Sequence, residues 1–310
     1  NGVYLYMKIF VTGGGGFIGR HLVKALLNSH HVTIYENFSN SDRNNLDFVT
    51  NNSFNILEGD LSNYELLKKS LHDFDLVIHL AAKIDISESL KHPEISNTVN
   101  VQGTINLLKA CVESKVQNII CASSAAVYGN PDQIPVTEET IPNPVSPYGA
   151  DKLSMEFYLR AFANAYNLNC VSLRFFNVFG QGQSNEYAGV ITKFMENLSN
   201  NEPLIIFGDG ENTRDYIYID DLVQGIIHTM LNIQGKKGEI YNLGSGTSVS
   251  VNQLAKTMIE ISQKNIEIIH TSPRKGDLLF SEVSISKAMK DLNYLPKFDL
   301  NDGLSKLLKR

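Results

Sequence analysis

Short apolar runs alternate with amphipathic stretches through the first half of the chain. Runs rich in β-branched residues predict strands that begin near residues 8, 32, 54, 76, 118 and 171. The stretches between them repeat apolar positions at the helical period, most clearly at residues 103–114 and 154–166. This alternation predicts an α/β fold with a doubly wound, Rossmann-type parallel sheet and helices on both of its faces.

The pattern changes after Asn177, where loops rich in Asn, Gly and Asp take over. Residues 239–246 are expected to return to the sheet as one more strand. We therefore expect a Rossmann domain at 7–176 with return segments at about 214–243, and a smaller C-terminal region at 177–213 and 244–310. Helices of that region are predicted near residues 187–199, 221–231, 250–262 and 301–309.

Composition narrows the class of protein. The 310 residues are 43% hydrophobic and 19% charged, which is enough to bury a full core, and the net charge of -6 argues against a nucleic-acid or anionic-membrane surface. No apolar run reaches the length of a membrane span. Cys111, Cys121 and Cys170 lie in apolar runs without the spacing of metal ligands. We expect reduced core cysteines, no metal and a cytoplasmic protein.

A glycine-rich segment, "TGGGGFIG", joins the first predicted strand to the helix that follows. Gly13, Gly16 and Gly19 are three residues apart. This spacing lets backbone amides approach a pyrophosphate at the helix N-terminus, while the last glycine lets helix and strand pack closely. The segment therefore predicts a dinucleotide site; the alternative is a plain tight turn.

Two acidic residues stand at strand ends beside this segment. Glu36 ends the second predicted strand, where a carboxylate accepts hydrogen bonds from both hydroxyls of the adenosine ribose and repels a 2′-phosphate. This position favours NAD over NADP, and the alternative is a solvated acid at a strand end. Asp60 follows the third strand; it contacts adenine or caps the next helix, with Ser62 as the competing cap.

A tyrosine and a lysine lie four residues apart in "SPYGADK". Ser146 has the character of an N-cap and Pro147 that of the first helical residue, so Tyr148 and Lys152 fall one turn apart on one helix face. A free tyrosine has a pKa of about 10. The lysine ammonium and the positive ring of oxidised nicotinamide would both lower that pKa, which favours tyrosine as a base. On an arbitrary helix, such a pair is a surface coincidence.

The end of the fifth predicted strand strengthens the catalytic interpretation. "CASSAAVYG" brings Ser123 and Ser124 to the carboxyl edge of the sheet, where ligands bind in such folds. A hydroxyl group there can hydrogen-bond the substrate oxygen that the tyrosine deprotonates. Serines at a strand end are otherwise ordinary turn formers.

With these residues in view, the chain resembles the extended short-chain dehydrogenase/reductase family, and within it the UDP-glucose 4-epimerases. The resemblance covers nearly all of residues 7 to 310. It implies an NAD-dependent isomerase that acts on a UDP-sugar, and a homodimer built on two long helices at 98–114 and 147–166. The matching motifs are "TGGGGFIG", "ENFSN", "GDL", "HLAA", "NVQGT", "SSAAVYG", "YGADK", "RFFNVFG", "TRDYIYIDD" and "RKGDL".

The resemblance implies a role for each matching residue. Tyr148 is similar to the family's general base, Lys152 to its partner, and Ser124 to the residue that binds the reacting hydroxyl. The implied NAD contacts are Gly13, Gly16, Phe17, Ile18, Gly19, Glu36, Asn37, Asp60, Leu61, Leu80, Ala81, Ala82, Asn100, Tyr148 and Lys152. The implied substrate contacts are Ser124, Tyr148, Asn177, Arg214, Arg274, Asp277 and Ser281. Without the resemblance, Arg214 and Arg274 would be interpreted as solvated charges.

The chain also departs from the family pattern. Glu36 stands where aspartate is more usual, and Lys83 and Asp85 in "AAKIDIS" receive no role beyond a core or loop position. Ser281 stands four residues after Asp277, at a position that borders the sugar in the epimerases and where a tyrosine would exclude an N-acetyl group. The smaller serine predicts room for that group.

Three alternative functions remain open. A dehydratase or decarboxylase begins with the same oxidation but needs a further acid-base pair in the segment that reads "SSAAV", which contains no carboxylate. Epimerases of uronic acids or of sugars on another nucleotide share all the motifs above. A non-catalytic NAD-binding regulator would be free to lose the three catalytic residues, and all three are present.

Overall fold

The computed structural model describes residues 6–47, 54–183, 189–273 and 281–309. The strands of this part are β1 Lys8–Thr12, β2 His31–Glu36, β3 Phe54–Glu58, β4 Leu76–His79, β5 Asn118–Ser124, β6 Asn169–Phe175, β7 Asn177–Phe179, β8 Leu204–Phe207, β9 Thr213–Tyr218, β10 Lys237–Leu243, β11 Ser248–Ser250 and β12 Ile268–Thr271. The helices are α1 Phe17–Leu26, α2 Tyr64–Ser70, α3 Ile86–Lys91, α4 Pro93–Asn97, α5 Gly103–Glu113, α6 Pro147–Tyr166, α7 Val190–Asn200, α8 Ile219–Leu231, α9 Val251–Ser262, α10 Ser286–Leu292 and α11 Leu300–Leu308.

A seven-stranded parallel sheet is the centre of the fold, in the order β10-β6-β5-β4-β1-β2-β3. Strands β1, β4 and β6 are buried along almost their whole length, as expected of parallel strands covered on both faces. The predicted fold class is confirmed, and the predicted return segment joins the sheet as β10 beside β6. The chain order reverses between β1 and β4, which is where ligands bind in doubly wound sheets.

The described residues fall into two compact units. The first lies within Asn1–Val127, Pro144–Arg174 and Ile226–Tyr241, and the second within Tyr128–Asn143, Phe175–Gly225 and Asn242–Arg310. The first unit contains the large sheet. The second contains two small sheets, β11-β9-β7 and β12-β8. That one region binds the cofactor and the other binds the substrate stays a prediction.

The core of the first unit is apolar and includes the three cysteines. Side chains from the sheet and from α5 and α6 form one cluster, in which Cys111, Cys121 and Cys170 are buried thiols. Burial raises the pKa of each thiol well above its usual value, so they are inert core side chains rather than nucleophiles. None of the helices in the described ranges is both long and apolar enough to cross a membrane.

Two local predictions require correction. Neither Asp60 nor Ser62 caps α2, because the cap is Asn63, whose side chain accepts the Leu66 N–H at 3.1 Å. Asp60 instead accepts the Ser62 N–H at 2.8 Å, in a turn that places the helix cap one residue beyond Ser62. The helix predicted at 98–114 is present as a continuous helical run, but residues 98–102 form a π-helical turn between α4 and α5 rather than an α-helix.

Candidate active site

Helix α6 begins as its sequence predicts. The Ser146 side chain accepts the Gly149 N–H at 3.1 Å, and Pro147 is the first helical residue. Tyr148 and Lys152 therefore lie one turn apart, and both are buried. A lysine is rarely buried without a specific partner, so its position here argues against a surface coincidence.

The end of β5 contacts this face of α6. The Ser124 side chain lies close enough to the Tyr148 phenol to lower its pKa, and the Lys152 ammonium donates to the Ala122 carbonyl at 2.8 Å. A Cβ on Gly149 would lie 2.6 Å from the Ala126 carbonyl oxygen, so the helix can approach this closely only with glycine there. Ser124 is thus brought to Tyr148 as predicted, whereas Ser123 points elsewhere, toward Glu156.

Burial governs the electrostatics of the pair. It raises the pKa of Tyr148, and the nearby Ser124 side chain offsets part of that rise. Burial also lowers the pKa of Lys152, and interactions with Cys121 and with the carboxylates of Asp151 and Glu156 oppose this. The Lys152 nitrogen lies 5.9 Å from the centre of the Tyr148 ring. Each group alone resists ionisation in this medium, so a phenolate and an ammonium this close stabilise each other.

The glycine segment fits a pyrophosphate. Gly13 has a φ of +71°, and a Cβ there would lie 2.6 Å from the Ala81 amide nitrogen. A Cβ on Gly19 would overlap the Gly13 carbonyl oxygen. Gly16 caps α1 without a side-chain hydrogen bond, and the first turn of α1 contains no acidic residue. The N–H groups of this helix end are thereby oriented for an anion, as the dinucleotide hypothesis requires.

Glu36 is fixed against the glycine segment. One carboxylate oxygen accepts the Gly15 N–H at 3.1 Å and the other accepts the Asn37 and Phe38 N–H groups, also at 3.1 Å. Burial raises the pKa of Glu36, and these three hydrogen bonds act against the rise. Nearby, a Cβ on Gly15 would lie 2.9 Å from the Ser41 hydroxyl, a buried polar atom with no hydrogen-bond partner among the described residues. A polar ligand such as a dinucleotide would satisfy it.

Asp60 is held next to Glu36 by Asn37. The Asn37 amide donates to the Asp60 carboxylate at 2.6 Å. Burial tends to raise the pKa of Asp60, but hydrogen bonds from Ser62 and Asn37 outweigh it and lower the pKa overall. Asp60 is therefore a carboxylate at the sheet edge, which leaves adenine contact as its remaining predicted role.

A buried histidine connects the ends of β1 and β4, and sequence reasoning missed it. The Thr12 hydroxyl lies 2.7 Å from His79 Nδ1, and the Thr104 hydroxyl lies 3.0 Å from Nε2. Thr104 donates its proton to the Asn100 carbonyl at 2.5 Å, so it must accept from Nε2–H, and Thr12 must donate to Nδ1. The Ala81 N–H donates to Thr12 at 3.3 Å. We call Thr12, His79, Thr104 and the Asn100 carbonyl the His79 network.

Asn100 lies in the π-helical turn and is fully buried. Its amide oxygen accepts the Lys83 N–H at 2.8 Å and its nitrogen donates to the Lys83 carbonyl at 3.0 Å. These bonds fix the loop after β4, and the direct contact of Asn100 with NAD stays a prediction. Asp85 is the N-cap of α3, accepting the Glu88 N–H at 2.9 Å. Lys83 and Asp85 are thus loop and cap residues.

The second unit gathers three predicted substrate ligands around β9. Arg214 lies on β9, and the Asn177 amide donates to the Asp215 carbonyl at 2.9 Å. Ser281 pairs with the same strand: its N–H donates to the Thr213 carbonyl at 3.1 Å, and its carbonyl accepts the Asp215 N–H at 3.0 Å. Their contact with a substrate stays a prediction. The other two predicted ligands, Arg274 and Asp277, lie outside the described residues.

Asp215 is a second residue that sequence reasoning missed. Its buried carboxylate accepts the backbone N–H groups of Ser245 and Gly246, both at 2.7 Å. Burial raises the pKa of Asp215 to about 6, although these hydrogen bonds lower it in part. In "TRDY" Asp215 alternates with Arg214 on a strand, so the two side chains point to opposite faces, but nothing in the sequence identifies the backbone donors of Asp215.

Comparison with known proteins decides the family. The model of the NAD dependent epimerase/dehydratase family matches residues 9–244. The chain belongs to this family. The predicted family, an epimerase-like enzyme and dependence on NAD are thereby confirmed.

Individual relatives of this NAD-dependent family member are epimerases of UDP-sugars. UDP-glucose 4-epimerase of Mycolicibacterium smegmatis is 33% identical over 98% of both chains. The solved UDP-N-acetylglucosamine 4-epimerase of Methanobrevibacter ruminantium, in complex with UDP-N-acetylmuramic acid, is 34% identical with a TM-score of 0.93, covering 98% of this chain and 97% of that one. UDP-glucose 4-epimerase of Thermotoga maritima, solved with UDP-glucose, is 36% identical with a TM-score of 0.91 over 98% of both chains.

Proposed function

We propose that the protein interconverts the two epimers of a UDP-sugar at carbon 4 through a transient 4-keto sugar. UDP-glucose with UDP-galactose is the first pair, and the N-acetylated pair is the second. The observation that carries the proposal is the buried pair of Tyr148 and Lys152 beside Ser124 at the end of β5, in a chain whose family is NAD dependent.

Each of the three side chains has one task. Tyr148, as phenolate, accepts the proton of the 4-hydroxyl and later returns it to the same oxygen. Ser124 hydrogen-bonds that oxygen and keeps it at the phenol. Lys152 supplies the positive charge that makes the phenolate accessible in a buried site. NAD held by the glycine segment and Glu36 would supply the hydride acceptor for carbon 4 and the hydride donor for either face of the ketose.

The residues around the glycine segment suit a cofactor that stays bound. The reaction consumes no net oxidant, because the hydride that leaves the sugar comes back within one cycle. Gly13 and Gly19 leave the room that lets the N-terminus of α1 approach the pyrophosphate, and Glu36 offers its carboxylate to the ribose. That charge disfavours the 2′-phosphate of NADP.

The rival reactions are weaker candidates. The turn that follows β5, residues 125–127, reads "AAV" and offers no carboxylic acid for elimination. Epimerisation of a uronic acid or of a sugar on another nucleotide uses the same three residues, so only substrate trials separate it from the proposal. A regulator would not need a buried tyrosine and lysine in this arrangement.

The test is to incubate the purified protein with a panel of UDP-sugars and to resolve the products. Wild type is expected to form the 4-epimer of at least one of them. Tyr148→Phe, which removes only the hydroxyl that carries the proton, should lose activity by on the order of a thousandfold. Equal background from both proteins would support the regulator instead.

Ser281 is proposed to border the sugar. Its backbone is paired to β9 on both sides, so its side chain starts from a fixed point beside Arg214. Serine leaves space that tyrosine would fill, so we expect turnover of UDP-N-acetylglucosamine as well as UDP-glucose. Ser281→Tyr should lose the acetylated substrate and keep UDP-glucose. If wild type ignores the acetylated sugar, or if the variant accepts it equally, Ser281 does not select for sugar size.

We also propose a homodimer formed by α6 and by the helical residues 98–114. Phe157 lies on α6 and is 60% exposed, and Tyr158 beside it is 40% exposed. Aromatic side chains this exposed on one helix are typical of an interface. Phe157→Glu should halve the mass measured by light scattering and leave the circular dichroism spectrum unchanged. A wild type that is already monomeric would contradict the proposal.

A further inference from the structure

A buried ion pair lies directly behind the catalytic side chains. Arg174 on β6 donates two hydrogen bonds to the carboxylate of Glu156 on α6, at 2.9 and 2.7 Å. The Ser123 hydroxyl on β5 donates to the same carboxylate at 2.5 Å. The two charged side chains are 2% and 4% exposed. One carboxylate therefore joins a helix to two neighbouring strands of the sheet.

This contact is one of three between the end of β5 and a single face of α6. Lys152 donates to the carbonyl of Ala122, Glu156 accepts from Ser123, and Ser124 lies close enough to the phenol of Tyr148 to lower its pKa. Three successive strand residues thus pair with three helix residues spaced four apart. Two of these contacts involve the proposed reacting groups, and the Glu156 contact involves neither. It fixes the position of the helix along the strand.

Stability alone does not explain such a pair. Removing a carboxylate and a guanidinium from water costs free energy that offsets most of their electrostatic attraction. Apolar residues of similar volume therefore stabilise a core at least as well. A bidentate arginine does, however, define a geometry that apolar packing leaves looser. The ion pair lies behind a site in which the Tyr148 and Ser124 hydroxyls must both contact one substrate oxygen. A defined geometry there holds the two hydroxyls at the required spacing.

We propose that Glu156 is a positioning residue of the epimerase: by joining α6 to β5 and β6, its carboxylate sets the spacing between Tyr148 and Ser124. This inference rests on the proposed function for the roles of those two hydroxyls. Glu156 itself does not contact the reacting atoms.

The charge of Glu156 has a second effect, on Lys152. The groups that face Lys152 are His79 from β4, Cys121 from β5, and Tyr148, Asp151 and Glu156 from α6, with Arg174 of β6 behind Glu156. Burial lowers the pKa of Lys152, and the negative charges of Asp151 and Glu156 oppose this. Loss of the Glu156 charge lowers that pKa further, so Lys152 loses its proton at a lower pH.

Three variants separate position from charge. Ser123→Ala removes the contact between strand and helix and changes no charge. Asp151→Asn removes a charge next to Lys152, but Asp151 accepts hydrogen bonds from Ser96, Asn97 and Asn100 rather than from β5. Glu156→Asp keeps the charge and shortens the reach by one methylene group. Kinetic constants across the pH range and crystal structures of the variants are the measurements.

Ser123→Ala and Glu156→Asp should each lower kcat about tenfold or more with KM within a factor of two, as small misplacements do. Their crystal structures should show a longer distance between the Tyr148 and Ser124 oxygens. Asp151→Asn should shift the alkaline limb of kcat to lower pH and keep most of its plateau. Glu156→Gln, where it folds, should show both effects.

Full kcat in Ser123→Ala together with an unchanged distance between the two oxygens would overturn the inference, as would a loss in Asp151→Asn equal to that in Glu156→Asp. If wild type turns over no UDP-sugar, the proposed function fails. The crystal structures then still decide whether Glu156 sets the spacing.

Discussion

The His79 network makes the folded state sensitive to acid in a way that can be calculated. The imidazole is fully buried, and burial, with a smaller effect from the Lys152 charge, lowers its pKa from 6.5 to about 3. Above pH 6.5 the ring is neutral in the folded and the unfolded chain. Between pH 6.5 and about 3 the unfolded chain binds a proton that the folded chain does not, so stability falls as the pH falls.

The size of this effect follows from the two pKa values. Relative to pH 7, the proton taken up by the unfolded chain at pH 5 costs the folded state roughly 2 kcal/mol. Every other titrating group contributes as well, so the informative quantity is the difference between wild type and a variant with no imidazole. His79→Asn should therefore lose about 2 kcal/mol less than wild type when the pH drops from 7 to 5.

Urea unfolding followed by circular dichroism at pH 7, 6 and 5 measures this difference, provided that the slopes with urea agree. Thr104→Val is the matched control, because it removes the Nε2 partner and keeps the imidazole. It should be less stable at every pH and retain the acid sensitivity of wild type. If His79→Asn and wild type lose the same free energy, the ring is not held neutral, and the proton positions assigned to the network are wrong.

Three further predictions concern the cofactor and the base. Gly19→Ala should destabilise the fold by about 1–3 kcal/mol and release NAD, because the added methyl group overlaps the Gly13 carbonyl; thermal unfolding and the NAD content of the purified protein measure both. Denatured wild type should release NAD rather than NADP, and recovery of mainly NADP would refute the role of Glu36. Lys152→Met should lose most activity at pH 7 and recover part of it at higher pH, whereas a flat profile would show that lysine only positions its partners.

Features that depend on residues close together in the sequence could be predicted from it. The strands, the Ser146 cap and the spacing of Tyr148 and Lys152 each depend on a few successive positions, and all appear where the pattern puts them. Ser124 could be placed because parallel strands end at one edge of the sheet. Asn63 could not, since Asp60 and Ser62 are equally good caps by composition and the turn that Asp60 forms decides between them.

Contacts between distant residues were not predictable. Thr12 and His79 are 67 positions apart, and Arg174 meets Glu156 from another strand. In the sequence, His79 is one polar residue in an apolar strand and Glu156 one acid on an amphipathic helix, so neither pattern identifies a partner. Asp215 was hidden in the same way, because its two backbone donors come from a loop 30 residues later.

The π-helical turn at 98–102 accommodates one extra residue in an otherwise regular helical run. The Gly103 N–H donates to the Thr98 carbonyl five residues back, one more than in an α-helix. Before the turn, Ser96 bonds Asp151; after it, Leu107 and Cys111 enter the core. Removal of one residue would rotate one of these faces by about 100° relative to the other. The extra residue thus lets the segment before the turn contact α6 while the segment after it packs into the core. Without that residue, either the Ser96–Asp151 hydrogen bond or the core contact of α5 would be lost.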